Sequence, residues 1–173
     1  MRPNQAEPRL SIQLIETEND NRLRKIEQLA QEIWTEHYTP IIGEAQVKYM
    51  LDQFQRYQKI KEQLLEGYIY GVVYLQDHLI GYFSVQPRDH HLFLSKIYLK
   101  SNQRGKGFFS VVLKFIEQVA KEYQKKVIEL TVNKHNTDTI NIYKTKGFEI
   151  VKPAVFDIGN GYVMDDYIMR KHI

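Results

Sequence analysis

The sequence predicts a mixed α/β (α+β) domain, in which a mostly antiparallel twisted sheet of about seven strands is flanked by about four helices. Three observations carry that expectation. Apolar residues between positions 20 and 65 recur at helical spacing. Those between 68 and 99 fall in short β-branched and aromatic runs separated by turns. From position 108 onward the two rhythms alternate. At 173 residues and 43% apolar content, the chain can build one sizeable core but is short for two domains.

Residues 1–8 hold two prolines among polar residues and read as a flexible tail, so a single folded domain is expected over residues 9–173. A short strand near Leu10 to Ile15 follows. From Asp20, the residues Leu23, Ile26, Leu29, Ala30, Ile33 and Trp34 define an amphipathic helix, with Pro40 marking its end. A second helical stretch, Glu44 to Leu65, carries Val47, Met50, Leu51, Phe54, Ile60, Leu64 and Leu65; it has room for a break in its middle, and Gly67 closes it. The segments "YIYGVVYL", "LIGYFSV" and "HLFLSKIYL" then read as three antiparallel strands.

After "NQRGKG", Phe108, Val112, Phe115, Ile116, Val119 and Tyr123 return to a period near 3.6, which gives a helix to about Glu122. "KVIELTV" is a buried strand. Asn136 is the expected N-cap of a short helix with Asp138 in its first turn; it runs through Lys146 and stops at Gly147. Strands near Phe148 to Asp157 and Tyr162 to Arg170, joined across Gly-Asn-Gly, complete the sheet.

Composition narrows the chemistry. The +3 balance of 24 cationic against 21 acidic residues is spread along the chain, which permits nucleic acid without pointing to it. With no cysteine, disulfides, a thiol nucleophile and cysteine-ligated zinc are excluded. No apolar run approaches the ~20 residues that span a bilayer, and the start has no apolar signal region. A soluble, cytoplasmic protein is the expectation, with no membrane partner.

The stretch "NQRGKGFFS", Asn102 to Ser110, lies between a strand and a helix. Such a turn places free backbone N–H groups at the positive helix end, an anion site suited to a diphosphate. Gly105 and Gly107 allow close approach or positive φ, and Arg104 and Lys106 add charge. On this motif alone a plain surface turn is an equal reading. A Walker loop fails because Gly107 is followed by "FFS", and the dinucleotide fingerprint fails at Ser110. "KGFFSVVL" opens like an RNA-binding strand, yet Ser110 stands at its stacking aromatic and the residues that follow keep helical period.

Together, "IYLKSNQRGKGFF", the helix and strand after it, and then Asn136, Tyr143 and Gly147-Phe148 resemble the GNAT superfamily of acyl-CoA-dependent N-acetyltransferases over roughly Gly67 to Val151. The resemblance implies a sheet splayed between strands 4 and 5, with acetyl-CoA as co-substrate and no metal. The pantetheine arm would pair with backbone groups of Ile97 and Leu99. The amides of Arg104, Gly105, Lys106, Gly107, Phe108 and Phe109 would hold the diphosphate, and Asn136 would contact the arm. Phe109 departs from the family's small residue at that point of the loop. Tyr143 falls where the family carries a general acid to the CoA sulfur. Its plainer reading is a packed helix tyrosine.

Direct transfer to an amine needs no covalent enzyme intermediate, only proximity, a polarised carbonyl and proton transfers. The family's frequent strand-4 glutamate is absent: Leu94, Ser95 and Lys96 stand there, and His90, His91, Glu36 or Glu129 acting through water are the substitutes. Asp157, Asp165, Asp166 and Glu36 offer negative charge to a cationic amine, and Trp34, Tyr38 and Tyr162 offer apolar cover. Trp34, Glu36, Tyr38 and Asp165 are the acceptor-side candidates. For any one of them a solvated acid or core aromatic is the plainer reading. The expected partner is a small-molecule amine, polyamines included, or a peptide amine. Nucleic acid is not expected, and a homodimer is left open. The alternative function is a non-catalytic acyl-CoA-binding or RNA-binding module.

Overall fold

Helix periodicity and strand alternation become five helices and seven strands in the computed structural model, which describes residues 9–15 and 19–173. The tail expected over residues 1–8 lies outside the described residues. After β1 (Leu10–Leu14) comes α1 (Asp20–Ile42), whose first turn is capped by Asn19 Oδ1 accepting the Arg22 N–H at 3.2 Å. Pro40, expected to end this helix, lies inside it. In the last turn a proline forfeits one backbone hydrogen bond while its fixed φ continues the helix, and Gly43 at φ 87° makes the stop.

The stretch after it divides into α2 (Glu44–Phe54) and α3 (Tyr57–Leu65) because Arg56 is extended, with ψ 148°. That break is why the domain has five helices rather than about four. Next come β2 (Ile69–Leu75), β3 (His78–Pro87), β4 (Leu92–Leu99) and α4 (Phe108–Glu122). The chain closes with β5 (Val127–Asn133), α5 (Thr137–Thr145), β6 (Glu149–Gly159) and β7 (Tyr162–His172). The β6–β7 turn carries Asn160 and Gly161 at φ 53° and 75°, the left-handed pair that a two-residue hairpin requires.

The strands lie in the order β1-β2-β3-β4-β5-β7-β6, and every neighbouring pair is antiparallel except β4–β5. Strand alternation sorts the apolar residues into two cores. On one face Leu23, Ile26, Ile33 and Trp34 of α1, with Val47, Met50 and Ile60, pack on Tyr70, Val72 and Tyr82. On the other, Val112, Leu113 and Ile116 of α4, with Ile140 and Tyr143 of α5, cover Phe83, Val85, Ile97, Leu130 and Met169. Among the described residues no helix is long and apolar enough to cross a membrane.

Candidate active site

β4 and β5 pair only at Leu92–Ile128 and Phe93–Glu129, although β4 continues to Leu99 and β5 to Asn133. Beyond those two registers the sheet is open in its middle. Lys100 donates its N–H to the Ile80 carbonyl at 2.8 Å, and Tyr98–Tyr82 and Lys96–Ser84 continue that register. In an antiparallel ladder alternate residues turn their polar groups the other way, so Ile97 and Leu99 direct theirs into the gap. One of these groups is already engaged: the Leu99 carbonyl accepts Arg104 Nε–H at 3.1 Å.

A single 3₁₀ turn, Ser101–Gln103, leads from β4 to the loop. Gly105 and Gly107 have φ of 71° and 83°, which glycine alone adopts freely, and a Cβ at either would meet nothing. Gly107 caps α4, so the loop amides stand at the N-terminus of a 15-residue helix with open space before them. The Lys106 ammonium donates to Gln103 Oε1 at 3.2 Å. Phe108 and Phe109 begin α4 and do not lie on a strand, so the aromatic stacking surface of an RNA-binding strand is not built there. The Phe109 ring is turned toward Tyr143, 6.0 Å between centroids, and packs on the α4–α5 core.

Tyr143 is 7% exposed, with Phe148 5.4 Å away on its other side. Burial, and then the neighbouring Tyr38, push its hydroxyl well above the ordinary phenol range. Asn136 occupies the N-cap position of α5, and its carbonyl accepts the Ile140 N–H at 3.0 Å. Its side chain makes no capping bond. It is buried near His37 of α1. Burial, and next the charge of Arg104, hold the His37 imidazole below its ordinary range.

The acceptor-side candidates separate. The Tyr38 and Tyr98 hydroxyls lie 3.2 Å apart. Trp34 packs on both rings but is bound into the core, where its Nε1–H donates to the Tyr82 hydroxyl at 3.1 Å. Glu36 is exposed on α1. Asp165 is paired with Lys134 at 2.6 Å, and the Lys134 ammonium lies over the ring of Tyr167. Its neighbour Asp166, on the opposite strand face, is 2% exposed. Burial pushes its carboxyl up to about 6, against the opposing influence of the Thr131 hydroxyl.

The remaining proton-transfer candidates stand elsewhere. His90 is exposed in the β3–β4 turn. Glu129 accepts Arg170 Nε–H at 2.7 Å with His91 Nε2 3.5 Å away, at the register where β4 and β5 are still joined. Lys96 is buried beneath α3 and donates to Gln63 Oε1 at 3.2 Å. Sequence reasoning left His37 and Tyr98 out, because only the approach of α1 to β4 and α5 gives them a place in the mouth. The Ile97 and Leu99 backbone groups thus face the opening between β4 and β5, the glycine loop before α4 follows β4, and Asp166 pairs with Asn133 where β5 has parted from β4.

A model of the Acetyltransferase (GNAT) family matches residues 24–148. No curated protein matches the chain. In fold the chain is similar to the PaiA N-acetyltransferase of Thermoplasma acidophilum, solved in complex with coenzyme A: TM-score 0.79, 19% identity, 95% of this chain and 99% of that one. An N-acetyltransferase of Staphylococcus aureus superposes with TM-score 0.71 at 18% identity, covering 95% of this chain and 97% of that one. A GNAT acetyltransferase of Elizabethkingia anophelis with acetyl-CoA bound gives 0.56 at 16% identity, over 67% of this chain and 83% of that one.

Proposed function

Because this chain belongs to the GNAT family of acetyltransferases, we propose that it moves the acetyl group of acetyl-CoA directly onto a small-molecule or peptide amine. The amine reaches the thioester from the α1–α3 side of the sheet. The opening between β4 and β5 carries this reading: a gap between two strands, walled by backbone edges that do not pair across it, lies beside a glycine loop on a helix N-terminus. In the proposed complex the Ile97 and Leu99 backbone groups pair with the pantetheine amides as an added strand would, and Arg104 swings off the Leu99 carbonyl to meet the diphosphate. The loop amides from Arg104 to Phe109 complete the anion site, with the helix dipole behind them. Asn136 contacts the arm with its carboxamide.

Attack requires a neutral amine near a polarised carbonyl, and positioning alone removes much of the barrier. Tyr143 donates its proton to the departing thiolate. Its buried phenol keeps that proton throughout the neutral range. Tyr38 and Tyr98 border the acceptor with polar hydroxyls on aromatic rings, which suits a cation with an apolar stem, as in polyamines.

Acetyl-CoA should raise the thermal stability of the protein, since a ligand that prefers the folded state stabilises it by mass action. Gly107→Asp places a carboxylate at the loop and should abolish that shift in a variant that still folds. A folded variant that responds like the parent removes the loop from the cofactor site. CoA release against polyamines, amino acids, aminoglycosides and peptides then identifies the acceptor.

A further inference from the structure

We propose that Asp166 accepts the proton of the incoming amine, in the role that a β4 carboxylate would otherwise fill. The assignment rests on the acetyl-transfer reading above and names a residue for the step which that reading leaves open.

Elimination among the acids of the cleft comes first. β4 presents Leu94, Ser95 and Lys96 and no carboxylate. Glu129 is neutralised by Arg170 and sits at the joined end of β4 and β5, away from the opening. Glu36 is exposed, and Asp165 is held by Lys134 on the other face of the sheet. Asp166 differs from all three. Among the described residues no cation forms an ion pair with it, the neutral Thr131 hydroxyl is the nearby group that favours its charged form, and it is 2% exposed.

Placement then favours it. Asp166 pairs with Asn133, the last residue of β5, so it lies where the gap is widest. Met164, two residues away on the same strand face, packs on the α1–α3 core, which puts Asp166 on the acceptor side. Tyr38 senses its charge, and the Tyr38 hydroxyl touches that of Tyr98. The groups that act on Asp166 are thus Thr131 of β5, then Asp165 and Lys134, and Tyr38 of α1 in turn feels its charge. A carboxylate so placed is ionised at neutral pH yet more basic than an ordinary aspartate.

The protons balance. An aliphatic amine arrives as an ammonium with a pKa near ~10, and Asp166 takes one proton and passes it to solvent. The freed lone pair forms the N–C bond, and the C–S bond breaks with its electron pair leaving on sulfur. Tyr143 supplies the proton to that sulfur. The second N–H proton lost from nitrogen leaves through Asp166 and restores the Tyr143 phenol.

The test is single-turnover acetyl transfer by Asp166→Asn, with the acceptor that the amine panel identifies and with the acetyl-CoA thermal shift measured in parallel. We expect a parental thermal shift and a rate at pH 7 lower by about 100- to 10,000-fold, with the deficit shrinking toward pH 10 as the amine arrives neutral. Thr131→Val keeps the carboxylate but removes a hydroxyl that favours its charged form, so the acid limb of its rate profile should move to higher pH. A parental rate in Asp166→Asn, a deficit that does not change with pH, or an unmoved limb in Thr131→Val overturns the assignment while leaving acetyl transfer intact. A parent that neither binds acetyl-CoA nor acetylates any amine overturns the transfer reading, and the assignment with it.

Discussion

Tyr143 packs its ring against Phe109 and Phe148, and its hydroxyl is the group proposed to act. Tyr143→Phe retains the ring and its packing. Turnover in a single-turnover assay should fall by about 100- to 10,000-fold while acetyl-CoA affinity changes little, the signature of an interaction made only in the transition state. An unchanged rate across pH 6 to 9 would reduce the tyrosine to packing. At this scale the sequence was partly legible. The positive-φ glycines Gly105 and Gly107 could be read from the local strand-turn-helix pattern, whereas Tyr143 was singled out only by the resemblance to the GNAT family. Asp165 and Asp166 are adjacent acids that differ only in which strand face they occupy, and that depends on pairing with Asn133 and Ala154. His37 gains its surroundings from Asn136 and Arg104, far along the chain, so no local pattern marks it.

Elements were legible wherever periodicity alone decides them, as in α4, whose apolar stripe Val112, Leu113, Ile116 and Val119 is buried as a unit. The position of β7 between β5 and β6 was not, since strand order depends on the crossover through α5 and not on any local rhythm. Nor does local pattern explain Gly71 in the middle of β2. A Cβ there would lie 2.2 Å from two atoms of the Phe83 ring on the neighbouring strand. Gly71→Ala should therefore destabilise the fold by about 1–3 kcal/mol, as overpacking does, and lower Tm by several degrees. Phe83→Leu in the same chain should recover part of that loss, and a double-mutant cycle reads the coupling. Strictly additive losses would show that the ring yields without cost.

Across the whole molecule, two buried ionisable groups tie stability to pH in opposite directions. Burial lowers Lys96 to about 7, from an ordinary 10.5. Between those values the unfolded chain binds the extra proton, so the cost of burying this lysine shrinks and stability climbs with pH, by at most ~1.4 kcal/mol per unit. Asp166, raised to about 6 from 3.8, works lower down: the folded state holds the extra proton, and stability falls as pH rises through that window. Denaturant unfolding at pH 7, 8 and 9 should show a rise in the parent that Lys96→Met removes. A slope that survives the substitution would place its source elsewhere.

A sheet opened in its middle has four strand edges instead of two. Edges are how β proteins recruit one another, and the outer one at β6 is blunted in the ordinary way, by Lys152 and by Pro153, which has no N–H to offer. The two inner edges cannot be treated so, because a proline or a charge pointing into the gap would remove the donors and acceptors a ligand strand needs. On the β4 edge a side chain covers one acceptor instead. The opening ends at a junction two residue pairs deep, and the Leu99 carbonyl at its rim is covered by the Arg104 guanidinium. A side chain laid over an acceptor, unlike a proline in the strand, covers the edge and leaves its hydrogen-bonding groups in place.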